Sequence, residues 1–546
     1  MVELFIQSPP QLGNQYTDDL FLRHYLQRVV PSAVLREIEP QLQAMGDLAG
    51  GSLYALQLTD RLHEPRLMQW DAWGNRIDEV ELTSLWQRCA RLAAEQGLVA
   101  LPYEQAHGAH SRIHQFALVY LFHPSSDFYT CPLAMSDGAA CCLRESGNQS
   151  LITRAVPRLI SRDTDHAWTS GQWMTEASGG SDVGSARTCA VKQPDGSWRL
   201  CGKKWFTSAV NAEMALTLAR PEGNGLGGQG LALFYLETRD AAGRLNGIRI
   251  ERLKDKLGTR KVPTAELLLE ACEAQLVGEM QGGTRAIEPM LMVTRVWNAI
   301  SAAACMRRGM ALAQSYARQR SAFGKYLHEL PLHADILATL EAETRAATLL
   351  AFETVRLLGL KEAHEITTAQ RALLRLLTPI AKLVTARQAV AVLSEIIECF
   401  GGAGYVEDTG LPALLRDAHV LPIWEGTTNV LALDALLRSD AQSGMHALLE
   451  RAEHIVGNTT DSHLQAIAMM ARTVLIHARQ WLTHTQDMTV VQAGGRRWAL
   501  SLGRAFALLL LVEQAQSDWV QRQDAAAILS AKKFAESFAG MAAQVG

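Results

Sequence analysis

The segment Ile423-Trp424-Glu425-Gly426-Thr427-Thr428-Asn429 sets one carboxylate behind two apolar residues and ahead of a glycine and two hydroxyls. Apolar surroundings raise a carboxyl pKa, and a carboxylate within hydrogen-bond reach of a weakly acidic C–H in a dry site is a competent general base. Taken by itself, the segment reads more readily as a local cap or ion pair than as a base, because glutamates mostly stay at the surface. A second stretch, Trp173-Met174-Thr175-Glu176-Ala177-Ser178-Gly179-Gly180-Ser181-Asp182-Val183-Gly184-Ser185, gathers hydroxyls, small residues and carboxylates. Backbone amides and the Thr175 hydroxyl can lie there against a polar ring edge, with glycines permitting close approach. A plain tight loop has the same composition.

Three other patterns carry less. Gly223-Asn224-Gly225-Leu226-Gly227-Gly228 fits GxGxxG, but it runs through Gln229-Gly230 into an apolar strand-like run instead of opening a helix, which argues for a flexible loop between strands and against a dinucleotide-binding turn. His107, His110 and His114 fall at i, i+3 and i+7. On a helix the outer two would stand roughly 10 Å apart along the axis, too far for one ion, so no metal site is expected. The pairs Arg307-Arg308, Arg496-Arg497 and Lys532-Lys533 read as solvated helix faces.

These residues need elements to hold them. From Asp18 to about Arg162, apolar residues recur mainly at helical spacing, as in Leu82-Leu85-Trp86-Cys89-Leu92-Ala93. Between Trp173 and Val277 the apolar runs shorten to strand length, and Pro194-Asp195-Gly196-Ser197 signals a hairpin turn. From Gly283 onward, long helical runs are expected over 285–318, 333–358, 367–400 and 428–437, with Gly401-Gly402-Ala403-Gly404 stopping the third. Further helical spacing continues from about Ser439 to the end. A chain of 546 residues, 48% hydrophobic, exceeds what one core can organise. A net charge of -4 offers no general attraction to a polyanion. Nine cysteines without a CxxC pair read as reduced thiols of a cytoplasmic protein. The amino terminus lacks a basic region followed by an apolar one, and no apolar run reaches the roughly 20 residues of a membrane span, so neither secretion nor membrane insertion is expected.

The order of motifs resembles that of the acyl-CoA dehydrogenase superfamily. The Thr175-Glu176 pair followed by Gly180-Ser181-Asp182 is similar to the family's first signature, with Trp173 where a small residue is usual. Lys203-Lys204-Trp205-Phe206-Thr207-Ser208, Lys256-Leu257-Gly258-Thr259-Arg260 with Pro263-Thr264-Ala265-Glu266, and Arg320-Ser321-Ala322-Phe323-Gly324 resemble the blocks that follow. Phe400-Gly401-Gly402-Ala403-Gly404-Tyr405, Leu415-Arg416-Asp417-Ala418 and Trp424-Glu425-Gly426-Thr427 complete the series. Glu398 stands where the family often has Gln, and Ala413 where it usually has Lys or Arg. The added carboxyl-terminal stretch and the strings Gln69-Trp70-Asp71-Ala72-Trp73-Gly74-Asn75-Arg76-Ile77-Asp78 and Glu251-Arg252-Leu253-Lys254-Asp255-Lys256-Leu257-Gly258 look like the AidB-type alkylation-response flavoproteins.

The resemblance implies an α+β fold: an amino-terminal helical domain over 1–165, a middle antiparallel β domain over 166–280, a four-helix bundle over 281–438 and an additional helical domain over 439–546. It implies FAD, with Met174, Thr175, Ser181, Trp205 and Thr207 at the isoalloxazine and its linker and Thr175 near N5. Arg320 and Phe323 would bind the FAD of a neighbouring subunit in a homotetramer, and Gly401, Gly402, Thr427 and Asn429 would line the diphosphate and adenosine. Glu425 would take the α-proton of an acyl-CoA while N5 takes the β-hydride. Two alternatives follow from the AidB-type branch and the family's acyl tunnel: a protein associated with double-stranded DNA with weak or vestigial dehydrogenase activity, and a fatty-acyl binding protein. From Arg438 to Gly546 there are ten Lys/Arg against nine Asp/Glu, a poor polyanion surface on average.

Overall fold

The structure is a computed structural model and describes residues 6–543. Contacts divide the chain into two compact units that interleave in sequence: one holds 1–58, 105–125 and 298–546, the other 59–104 and 126–297.

The second unit is built on a seven-stranded sheet. The strands Met214–Pro221, Cys189–Lys192, Trp198–Ser208, Thr264–Leu276 and Ala232–Glu237 pair in that order, and the last pairs back onto the first, closing a ring. Ser170–Trp173 and Ile248–Leu253 pair at its sides. The sheet is mainly antiparallel, as expected; Met214–Pro221 is the exception, running parallel to Ser170–Trp173 and to Cys189–Lys192. The anticipated hairpin joins Cys189–Lys192 to Trp198–Ser208 through a Gln193–Ser197 turn. Inward-facing Trp173, Trp198, Leu200, Phe234, Leu267 and Leu269 form its core.

The 11-residue strand Trp198–Ser208 carries register shifts against Thr264–Leu276 between Leu200 and Gly202 and between Lys204 and Thr207. A bulge switches which side chains face inward. Phe206, in phase with Trp198 and Lys204, is therefore turned out, while Thr207 is buried. This unit also departs from the helical reading of the amino-terminal stretch. Arg66–Trp70 and Arg76–Glu81 form an antiparallel hairpin. Its turn is tied by Asp71, whose Oδ1 accepts from the Trp73 and Asn75 amides.

The first unit is helical. Glu288–Gln319, whose residues from Asn298 onward belong here, Pro331–Glu362, Thr368–Cys399 and Thr428–Leu437 occur within a few residues of the expected spans. Thr367 caps the third with a reciprocal Gln370 box. Four more helices follow: Ala441–Asn458, Ser462–His484, Met488–Arg522 and Ala525–Ala543. Thr368–Cys399 and Met488–Arg522 are long and apolar enough to cross a bilayer, but 83% of each apolar window is buried within the fold, as in core helices.

Candidate functional site

In the β unit, the Thr175 loop is fixed from both ends. The Thr175 carbonyl accepts from the Trp205 amide, and Glu176 and Gly179 exchange backbone hydrogen bonds across the turn. The Glu176 carboxylate is buried and accepts from Lys204 Nζ at 3.0 Å, Thr188 Oγ1 at 2.5 Å, and the Arg187 and Thr188 amides at 2.6 and 3.1 Å. Burial would raise this carboxyl. The adjacent Lys204 ammonium, the Thr188 hydroxyl and the Arg187 amide outweigh that effect and hold it below its ordinary value. Lys204 is fully buried, and its ammonium also donates to the Leu218 carbonyl at 2.8 Å.

On this frame the hydroxyls of Thr175 and Ser181 make no hydrogen bond among the described residues. A Cβ on Gly180 would stand 2.9 Å from Thr175 Oγ1, so glycine there lets the loop fold over that hydroxyl. Met174 is half-buried, its sulfur 3.5 Å from Gln172 Nε2. The half-buried Trp205 ring carries Lys254 Nζ 3.5 Å from its centroid. Thr207 differs from the rest: it is buried, and its hydroxyl donates to the Ala265 carbonyl at 2.6 Å. That proton is committed to strand pairing.

In the helical unit, Glu425 occupies the turn before Thr428–Leu437. Its φ is +57°, in the left-handed region, and Gly426 follows at +102°. The fully buried Lys382, from the middle of Thr368–Cys399, donates to the Trp424 carbonyl at 2.6 Å and the Gly426 carbonyl at 2.7 Å. One ammonium thus holds the peptide that precedes Glu425 and the one that follows Gly426. Thr427 is the N-cap of Thr428–Leu437 but makes no side-chain capping bond, which leaves its hydroxyl and the helix's positive end open to an anion. Asn429 Oδ1 accepts from Arg496 of the Met488–Arg522 helix at 3.1 Å.

At one end of the bundle, Tyr316 and Phe400 stack with ring centroids 4.5 Å apart, bringing the turns that hold Arg320 and Gly401 to the same end. Phe323 is 96% exposed with φ +53°, and Tyr405 is 86% exposed. A Cβ on Gly401 or Gly402 would meet nothing within 4 Å, so both border open space. Glu398, the anionic departure from the motif, is exposed.

Known domain families match the chain in the order of these elements: the Adaptive response protein AidB N-terminal domain over 7–166, the Acyl-CoA dehydrogenase middle domain over 171–272 and the Acyl-CoA dehydrogenase C-terminal domain over 281–438. Acyl-CoA dehydrogenase family member 11 of Caenorhabditis elegans is 42% identical over 536 residues, covering 95% of this chain and 87% of that protein. The chain belongs to the acyl-CoA dehydrogenase family. The putative acyl-CoA dehydrogenase AidB of Escherichia coli is 32% identical over 400 residues, 72% of either chain. The crystal structure of Caenorhabditis elegans ACDH-11 in complex with C11-CoA superposes with a TM-score of 0.94 at 41% identity, covering 98% of this chain and 93% of that one.

The protein is therefore an acyl-CoA dehydrogenase family flavoprotein, an oxidoreductase class that uses FAD. Within the β unit, the hydroxyls of Thr175 and Ser181, without a hydrogen bond among the described residues, suit contact with a flavin; within the helical unit, the uncapped helix start at Thr427 and the open glycines 401 and 402 suit an anionic diphosphate. Lys382 was not singled out in the sequence, Lys204 stood there only as part of a motif, and Arg496 only in a basic pair read as a solvated helix face. For Lys382 a signal exists, a single charge inside the apolar run Leu376-Leu377-Thr378-Pro379-Ile380-Ala381-Lys382-Leu383-Val384. A charge at such a position must be paired or hydrogen-bonded. His107 and His114 pack with ring centroids 5.7 Å apart, and burial pulls His110 below its ordinary pKa. Among the described residues, His24, Asp518 and Asp524 group at metal-ligand spacing, but Arg522 already lies 3.0 Å from Asp518 Oδ1.

Proposed function

We propose that this family member oxidises acyl-CoA thioesters to the α,β-unsaturated form, with Glu425 as the base for the α-proton. The observation that carries the proposal is the placement of Glu425 on a left-handed residue with both adjoining carbonyls held, a geometry that fixes where the carboxylate projects. An α-proton of a thioester is weakly acidic, so its removal needs a positioned carboxylate and a donor to the carbonyl oxygen as negative charge develops there. The backbone N–H of Glu425 is assigned that second role. Bound FAD supplies the hydride acceptor, at N5. With FAD bound, Thr175 would donate its hydroxyl to the ring edge, Met174, Ser181 and Trp205 would border the ring and its linker, and Thr427, Asn429, Gly401 and Gly402 would hold the diphosphate and adenosine. The C11-CoA bound by the Caenorhabditis elegans relative supports an acyl chain of about that length as a first substrate to try.

The exposed Phe323 beside Arg320 supports the further reading that these side chains reach the FAD of another copy in a homotetramer. No observation on the appended helices favours association with duplex DNA. Arg451, Arg472, Arg504, Arg522 and Lys533 all sit in ion pairs there.

The test is anaerobic titration of the purified yellow protein with acyl-CoAs of graded length. Bleaching of the flavin by one of them, lost in Glu425→Gln while FAD is retained, supports the assignment. A flavin that no acyl-CoA bleaches overturns it.

A further inference from the structure

The carbonyls of Trp424 and Gly426 flank Glu425, and both accept from the same buried ammonium, Lys382 Nζ, at 2.6 and 2.7 Å. Lysine is almost never fully buried, and burying its charge is costly unless the ammonium is well hydrogen-bonded. Here the cation sits in the middle of a 32-residue helix, Thr368–Cys399, surrounded in sequence by buried apolar residues. The segment it holds is strained in the direction that needs holding. A non-glycine residue at φ +57° lies in a disfavoured region and persists only where its surroundings over-determine it. The next residue, at φ +102°, has a backbone state that only glycine adopts freely. A Cβ there would also stand 2.9 Å from Leu431 Cδ2.

We infer that Lys382 is a positioning residue for the base: its ammonium clamps the two peptide carbonyls around Glu425 and fixes both the carboxylate and the Glu425 N–H for the reacting thioester. The inference rests on the catalytic reading of Glu425 given above. This scheme assigns Lys382 to the backbone carbonyls on either side of the base. It acts through the backbone, so its loss changes the rate of proton removal and leaves the binding of FAD and acyl-CoA in place.

The experiment replaces Lys382 in the full chain with Met, which keeps the length and removes the donors, and with Gln, which keeps a donor and removes the charge. Visible absorbance reads FAD content, spectral titration reads acyl-CoA affinity, and anaerobic stopped-flow reads flavin reduction. In Lys382→Met, FAD content stays near stoichiometric, the acyl-CoA Kd shifts by less than about threefold, and flavin reduction slows on the order of 10²-fold, the effect of misplacing a reacting group by about 1 Å. Lys382→Gln falls between Met and the wild type, and it carries the test if the Met variant does not fold. Wild-type reduction rates in both variants, or a loss of cofactor and ligand binding in step with the rate, overturn the inference. Amide exchange of the peptide covering 423–428 gives a readout free of activity: it speeds up at least tenfold in the variants. If no acyl-CoA reduces the wild-type flavin, the catalytic reading falls by that result alone. Unchanged exchange in the variants overturns the clamp by itself.

Discussion

At Glu425 the side chain and the backbone answer different questions. A glutamate supplies the carboxylate, but a left-handed φ sets its direction, and that conformation holds only because Gly426 and the two Lys382 hydrogen bonds accept the same turn. Glu425→Asp separates these contributions, since it keeps the charge and draws the carboxylate back by one methylene. Flavin reduction is expected to slow by about 10²-fold while the acyl-CoA Kd changes little, because interactions made only in the transition state appear in the rate and not in binding. Stopped-flow reduction at saturating acyl-CoA measures this. An unchanged rate with weakened binding would make Glu425 a ligand contact instead of a base. The sequence made the residue legible through its motif and left its conformation hidden, because φ at a single glutamate leaves no trace in composition or periodicity.

At the scale of elements, the flavin loop depends on a buried ion pair between two strands' worth of sequence. Glu176 anchors Thr175, and Lys204 reaches Glu176 because the strand Trp198–Ser208 shifts register on either side of it. Replacing Glu176 with Gln leaves the fully buried Lys204 ammonium without its anionic partner. Removing one member of such a pair costs about 3–5 kcal/mol. Thermal or denaturant unfolding followed by tryptophan fluorescence checks this, with Trp173 and Trp205 beside the loop as reporters. The pH dependence has a definite sign. The Glu176 carboxyl lies below its ordinary value of 4.5 when folded, so its contribution is complete above about that pH and is lost as pH falls through the folded value. The wild type should lose stability steeply below pH 4.5, and Glu176→Gln, already weakened, should lose less over the same range. Parallel acid profiles in the two proteins would remove Glu176 from the account.

The same scale shows which elements could be read in advance. Long helices such as Pro331–Glu362 and Thr368–Cys399 announce themselves because a repeated apolar period accumulates over 32 residues. The hairpin at Arg66–Trp70 and Arg76–Glu81 does not, because two short strands, with five charged residues among eleven, give periodicity little to register. Lys204 and Thr207 were legible as motif residues, but their inward orientation was not. Strict alternation would have turned Phe206 inward, and only the bulge between Lys204 and Thr207 reverses it.

For the whole molecule, the question is whether the helices after Ser439 are a separable module or part of the core that holds the site. Within the helical unit they press directly on the bundle. A Cβ on Gly503 would stand 2.6 Å from Val384 and 2.7 Å from Ile380, and one on Gly444 would stand 2.7 Å from Leu376. All three partners lie on Thr368–Cys399, the helix that carries Lys382. Arg504 closes the same contact with a bidentate pair to Glu343 of Pro331–Glu362, at 2.9 and 2.7 Å. Deleting 439–546 would therefore bare the apolar face of the helix that holds the Glu425 turn and strand the half-buried Glu343 carboxylate. A large exposed apolar patch favours association, and an unpaired buried charge is strongly destabilising. A chain ending at 438 is expected to be aggregated or colourless, as read by size-exclusion chromatography with absorbance at flavin wavelengths. A soluble, yellow 1–438 protein melting with the full-length chain would make the appended helices dispensable to the fold. If the truncated protein fails, a DNA-binding role cannot be tested by deletion. Charge reversal at the exposed Arg497 and the half-buried Lys532, neither of which has an ion pair among the described residues, is then the informative variant. With five of the region's basic residues already tied to carboxylates, that reversal is expected to leave duplex affinity unchanged across salt concentrations.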